Sequence, residues 1–149
     1  MMAAVLVDTN ILIYGHDPAD AAKQARAIEV LDHLHANGTG RLSTQILAEF
    51  FASATRGARP LLTDIKAAKQ VENLAQSWTV FDITSLIVLE AIRGVRSHKF
   101  SYWDAQLWAT ARLNQASAIF SEDFNPGSTI DGIRFVNPFA TAFVLDAWS

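Results

Sequence analysis

Four carboxylic acids occupy positions where a surface charge is not the obvious explanation: Asp8, Glu49, Asp104 and Asp123. Asp8 directly follows the apolar run Ala3-Ala4-Val5-Leu6-Val7, and Asp123 follows Ala118-Ile119-Phe120-Ser121. Both runs read as buried strands, which places each acid just beyond a strand's carboxyl end. Glu49 falls in the second turn of a helical segment and has Ile46 and Ala52 three residues away on either side, so it shares an apolar face. A carboxylate there needs a partner, yet the positions three and four residues away are Gln45, Ile46, Ala52 and Ser53, with no Lys or Arg. Asp104 stands in the first turn of a helix opened by Ser101.

Carboxylates gathered in one cleft repel one another unless a cation binds between them. Oxygen donors without His or Cys select Mg²⁺ or Mn²⁺. Such ions activate water and stabilise a leaving oxygen, which is what phosphodiester hydrolysis requires. Asp8, Asp104 and Asp123 also have plainer roles, and Glu49 is the hardest to dismiss. Asp8 fits the N-cap of a helix around Ile11. Ser101-x-x-Asp104 fits a capping box, the better reading of Asp104 taken alone. Asp123 fits a turn over Glu122–Gly127.

The elements that must position these acids alternate in type. The strands expected are Ala3–Val7, Arg41–Ser43, Thr79–Phe81, Ser117–Ser121 and Gly132–Val136. Between them the spacing predicts a helix over Asp20–His35 with Ile28, Leu31 and Leu34 on one stripe. Further helices are expected from an N-cap at Thr44 to about Thr55, from Thr63 to Ser77, from Thr84 to about Gly94 and from Ser101 to about Asn114, with a short terminal helix from Pro138. The pattern predicts an α/β fold with a mainly parallel sheet of about five short strands flanked by helices. Ligands of such sheets sit outside the carboxyl ends of the strands. For Asp104 to reach that edge the Ser101 helix must begin there. An extended ascent over Gly94–Ser101 would allow it, because eight residues reach ~26 Å.

The chain has 149 residues, is 50% hydrophobic and 18% charged, and contains no Cys. That suits one domain over residues 1–149 with a sizeable core, and excludes disulfides and thiolate metal sites. Met1–Val7 carries no Lys or Arg and Asp8 interrupts its apolar run, so no signal peptide is expected. Nor is a membrane span, and the expectation is a cytoplasmic protein. The net charge of −3 runs mildly against a nucleic-acid partner, an objection that weakens if several acids surround cations.

Four blocks, "VLVDTNILIY", "STQILAEFF", "SYWDAQLWATA" and "IFSEDF", resemble in that order the PIN-domain nucleases, and most the VapC toxins of bacterial toxin–antitoxin pairs. The resemblance spans nearly the whole chain and is weakest over Gly57–Val80. It implies a PIN-like three-layer sandwich and Mg²⁺- or Mn²⁺-dependent endoribonuclease activity, with RNA as substrate, a cognate antitoxin as partner and a homodimer as assembly. It assigns the metal and catalytic positions to Asp8, Glu49, Asp104 and Asp123, with Thr9, Asn10 and Ser121 in support. Many members carry a further Asp two residues after the fourth acid. Here that residue is Asn125, an uncharged oxygen donor, with Glu122 as a substitute only if it bends inward. One firmly held ion, and a second recruited by substrate, is the expectation.

Arg93, Arg96, His98 and Lys99 precede the Asp104 helix and fit phosphate contacts or pairing with the preceding helix C-terminus equally well. Trp103 with Leu107 fits the core, as do Trp78, Trp108 and Trp148; His16, His33 and His35 have no evident catalytic partner. The competing functions are a non-catalytic PIN-fold binding module and a PIN-type DNase, the latter usually needing added domains. A receiver-type signalling domain would want paired acids after the first strand and a late Lys, which this chain lacks.

Overall fold

Val5, Leu6 and Val7 have no exposed surface. A strand covered on both faces carries a continuous apolar run, not an alternating one, and this run forms the centre of the sheet. The computed structural model describes residues 3–149, so Met1 and Met2, part of the segment weighed as a signal peptide, lie outside the described residues. In chain order the elements are β1 (Val5–Val7), α1 (Thr9–Tyr14), α2 (Ala21–Asn37), β2 (Gly40–Ser43), α3 (Thr44–Ala54), α4 (Asp64–Ser77), β3 (Thr79–Phe81), α5 (Ser85–His98), α6 (Tyr102–Leu113), β4 (Ala118–Phe120), β5 (Thr129–Ile130) and β6 (Ile133–Val136), then a 3₁₀ turn over Leu145–Trp148.

The strand order is β3-β2-β1-β4-β6-β5, parallel throughout except for β5 against β6. The sheet therefore has six strands where about five were expected, because β5 is only two residues long and leaves no pattern to read. From β1 the chain steps outward to β2 and β3, then returns across the sheet to β4. Right-handed crossovers in opposite directions put helices on opposite faces. Accordingly α2 and α3 pack on β2, while α6 packs on β1, β4 and β6. Trp108, Phe50, Phe120 and Phe135 are the largest side chains buried between these layers.

Several boundaries differ from expectation for identifiable reasons. The N-cap of α3 is Ser43, whose hydroxyl accepts from the Ile46 amide (3.3 Å), while Thr44 Oγ1 accepts from Ile83 N (3.2 Å). On α2 the buried stripe is Ala27, Val30 and Leu34, and Ile28 is exposed. No helix starts at Pro138, because Asn137 Oδ1 takes the Phe139 amide (2.9 Å) into a turn that competes with helix initiation.

Helix α5 runs on to His98 instead of stopping at Gly94, so there is no extended ascent to Ser101. Lys99, left-handed at φ 62, turns the chain directly into α6. Arg112 Nε pairs with Glu90 (2.6 Å) and the Trp108 ring lies over Gly94, so the two helices pack antiparallel. Helix α5 itself thus delivers the chain to the start of α6. Gly94 serves packing here, and the usual value of glycine as a helix stop misleads.

A methyl group at Gly94 would lie 2.8 Å from the Trp108 ring. Ala normally stabilises a helix interior over Gly by up to ~1 kcal/mol. At this position Gly94→Ala should reverse that sign and destabilise the protein by about 1–3 kcal/mol, as overpacking does. Urea unfolding checks this, and a variant as stable as wild type would remove the packing role given to Gly94.

Candidate active site

Strands β1 and β4 end side by side, and the ladder continues one residue further: the Asp8 amide donates to the Phe120 carbonyl (2.9 Å). This register sets Asp8 next to Ser121. The Ser121 hydroxyl donates to Asp8 Oδ2 (2.8 Å), and the Thr9 amide donates to Asp8 Oδ1 (2.7 Å). Asp8 therefore is the N-cap of α1, as the plainer reading had it, and also lines the cleft at the sheet edge.

Asn10, two residues after Asp8, donates through Nδ2 to Ser121 Oγ and to Asp123 Oδ1, both at 3.2 Å. Its side-chain Oδ1 accepts from the Glu122 amide (3.4 Å). Asn10 thus joins the segments after β1 and β4. Glu49 arrives from the helix after β2, where Gln45 Nε2 donates to its Oε1 (2.6 Å). Asp104 arrives from the first turn of α6, with its amide held by Ser101 Oγ (3.3 Å).

All four acids line one cleft of about 560 Å³, together with Thr9, Asn10, Gln45 and Trp103. Asp17 and Glu122 line it too, which makes six acids, and among the described residues no Lys or Arg does. Glu122 is already engaged: Lys23 forms an ion pair with it, and the Tyr14 hydroxyl donates to Oε1 (2.7 Å). Burial pushes its carboxyl up, but Lys23 and Tyr14 together outweigh that and hold it below the usual range.

Burial pushes the Asp8 carboxyl up to about 6, against the Ser121 and Thr9 hydrogen bonds, with Glu49 and Asp123 raising it further. Asp104 is also raised, first by burial, opposed by the Ser101 hydroxyl, and then by Asp123. The acids thus act on one another across the cleft.

The donor set suits a hard cation: carboxylates without sulfur or imidazole, plus the Thr9 hydroxyl, which is buried without a hydrogen-bond partner. As placed, no three acidic or histidine side chains among the described residues converge on one ion position. Binding would require the walls carrying Glu49, Asp104 and Asp123 to close on the fixed Asp8.

Several expectations are corrected. Asn125 lies outside the cleft lining, in a turn where its carbonyl accepts from Ser128 (2.7 Å). Arg93 is occupied by Glu90 (2.6 Å) and Asp131 (3.1 Å), and its guanidinium lies over the Trp108 ring. His98 is bound to Asp131 (2.9 Å). Neither these residues nor Arg96 and Lys99 line the cleft. Trp103 is not core: it is 64% exposed at the rim. Sequence reasoning passed over Asp17 in a loop. It also read Gln45 and Ser53 only as failing to neutralise Glu49, a signal that in Gln45 hid a hydrogen-bond donor.

A family model described as PIN domain matches residues 5–126, a span containing all four acids. Similar solved structures include VapC20 of Mycobacterium tuberculosis, a sarcin–ricin loop cleaving toxin, at 18% identity and a TM-score of 0.65, covering 86% of this chain and 98% of that one. A toxin–antitoxin complex from Klebsiella pneumoniae matches at 18% identity and 0.64, covering 91% and 98%. VapBC2 from Rickettsia felis, bound to a promoter DNA fragment, matches at 12% identity and 0.63, covering 89% and 96%. At these identities the likeness is one of fold. No curated protein matches the sequence.

Folding raises the Asp8 carboxyl from 3.8 to about 6. Between those values the folded, metal-free protein binds more protons than the unfolded chain, so this group adds stability as the pH falls through 6 and none above it. The effect is on the order of 2–3 kcal/mol between pH 7.5 and pH 4. Asp8→Asn should flatten that dependence and be at least as stable as wild type at pH 7.5. Urea unfolding in chelator at both pH values tests this; equal pH slopes in the two proteins would contradict the assignment.

Proposed function

The chain belongs to the PIN domain family, and from that premise we propose that it is a Mg²⁺- or Mn²⁺-dependent endoribonuclease, the toxin of a toxin–antitoxin pair. The observation that carries the reading is the gathering of Asp8, Glu49, Asp104 and Asp123, from four separate segments, into one cleft at the carboxyl edge of a parallel sheet. Structural acids seldom collect where each raises the cost of ionising the next.

Each residue has a definable part. Asp8 is the fixed ligand, held by Ser121 and Thr9. Asn10 holds Asp123 against Ser121. Glu49 and Asp104 stand on the opposite wall. When bound, the divalent ion supplies activated water and stabilisation of the leaving oxygen. With six acids and, among the described residues, no Lys or Arg lining it, the metal-free cleft would repel a phosphate backbone, so RNA engagement itself depends on cations. This accommodates a net charge of −3 in a protein that acts on nucleic acid.

The partners follow from the same premise. The similar structures include toxin–antitoxin assemblies, which supports a cognate antitoxin. Leu86 and Leu89, one turn apart on α5, are 68% and 63% exposed, apolar area suited to a homodimer contact. No helix among the described residues is long and apolar enough to cross a membrane, in keeping with action in the cytoplasm.

Asp104 gives the sharpest test, because it has a helix-end role and a site role at once. As a ligand, Asp104→Asn should lower Mn²⁺-dependent RNA cleavage by orders of magnitude and change stability by less than ~1 kcal/mol. Ser101→Ala removes the cap but no cleft carboxylate, so it should cost about 1 kcal/mol and keep most of the cleavage rate. Cleavage assays beside unfolding curves separate the two. An Asp104→Asn variant that destabilises like Ser101→Ala and still cuts RNA would reduce the site to three acids, and a folded wild type that cuts no RNA with either ion would favour the binding-module alternative.

A further inference from the structure

Two glutamines, Gln45 and Gln106, are 8% and 5% exposed between α3 and α6, where apolar residues would pack at no polar cost. Their hydrogen bonds form a chain with one direction. Gln45 Nε2 faces Glu49 Oε1 (2.6 Å) and the Trp103 carbonyl (3.2 Å), and both can only accept. The Gln45 oxygen must then face Gln106, whose Nε2 donates to it (2.9 Å). That leaves the Gln106 oxygen to accept from the Tyr102 hydroxyl (2.8 Å). Every donor in the run Tyr102–Gln106–Gln45–Glu49 points toward the carboxylate, so the dipoles reinforce one another at the charged end.

The chain also spans the two walls of the cleft. Gln45 grips Glu49 on its own helix and, on α6, the carbonyl of the residue before Asp104. We infer that Tyr102, Gln106 and Gln45 form a positioning relay that fixes Glu49 relative to Asp104 and thereby sets the affinity of the acid cleft for a divalent ion. The inference rests on the metal-dependent reading above. None of the three is a catalytic residue; they act through Glu49. Outer hydrogen-bond partners of metal ligands typically change affinity by about 10–100-fold.

The experiment compares Mn²⁺ binding by calorimetry and RNA cleavage in wild type, Gln45→Leu, Gln106→Glu, Tyr102→Phe and the Gln45→Leu/Gln106→Glu double variant. Gln106→Glu keeps the shape and the acceptor for Tyr102 but loses the N–H that Gln45 needs. Mn²⁺ affinity should fall by about tenfold or more in Gln45→Leu, by less in Gln106→Glu, and least in Tyr102→Phe. The double variant should lose no more than Gln45→Leu alone, because residues acting through one bond are not additive. Thr63→Ala, which removes the cap of α4 outside the cleft, should bind Mn²⁺ as wild type does below its melting temperature. In the metal-free protein the Gln45 side-chain amide protons, followed by NMR, should shift in Gln106→Glu, a readout that needs neither ion nor substrate. Additive losses, or variants that bind and cleave like wild type with unmoved Gln45 resonances, would overturn the relay. A wild type that binds no Mn²⁺ would overturn the metal-dependent reading and the relay's role in it together.

Discussion

The hydrogen bond from Ser121 to Asp8 organises the rest of the site. It exists because β1 and β4 are parallel neighbours that end in register, so the first residues beyond them lie side by side. It holds a carboxylate that burial would otherwise expel or neutralise, and it opposes, without cancelling, the upward push on Asp8. Asn10 extends the same contact to Asp123. Asp8 is thus the one acid whose position is fixed by the sheet itself, and the others surround it on longer, more adjustable tethers.

The opposite wall is built differently. Glu49 and Asp104 come from helices on opposite faces of the sheet, and their separation depends on side chains bridging α3 and α6. Gln45 and Gln106 supply that bridge. The Trp108–Gly94 contact sets the depth at which α6 packs on α5, and Lys99 turns the chain so that Asp104 opens its helix at the cleft. A cleft of like charges therefore rests on neutral amides and close packing.

Much of this was legible in the sequence because local chemistry and global position agreed. A continuous apolar run followed by Asp8, and another followed by Ser121 and Asp123, mark strand ends whatever the tertiary fold. Thr63, Thr84 and Ser101 cap their helices as their types suggest. What failed depended on tertiary context. Gly94 looks like a helix stop in the sequence because its reason, the Trp108 ring, is fourteen residues away. Arg93 fits a phosphate contact as well as a helix-end pairing in the sequence, because only Glu90, three residues earlier, is a local partner, and Asp131 joins it once α5 meets the β5–β6 turn. Gln45 and Gln106 look like solvent-facing helix residues, and only the meeting of α3 and α6 shows them buried.

On the proposed reading, the fold stores like-charge repulsion which a divalent cation relieves. The direct measurement is the shift in melting temperature with Mn²⁺ for wild type beside an Asp8→Asn/Asp104→Asn double variant. An ion bound only to the native state at ~100 times its Kd adds ~2.7 kcal/mol. The wild type should therefore gain several degrees, and the double variant, already relieved of two charges, should melt higher without metal and gain little from it. Equal shifts in the two proteins would place the ion elsewhere and contradict the account.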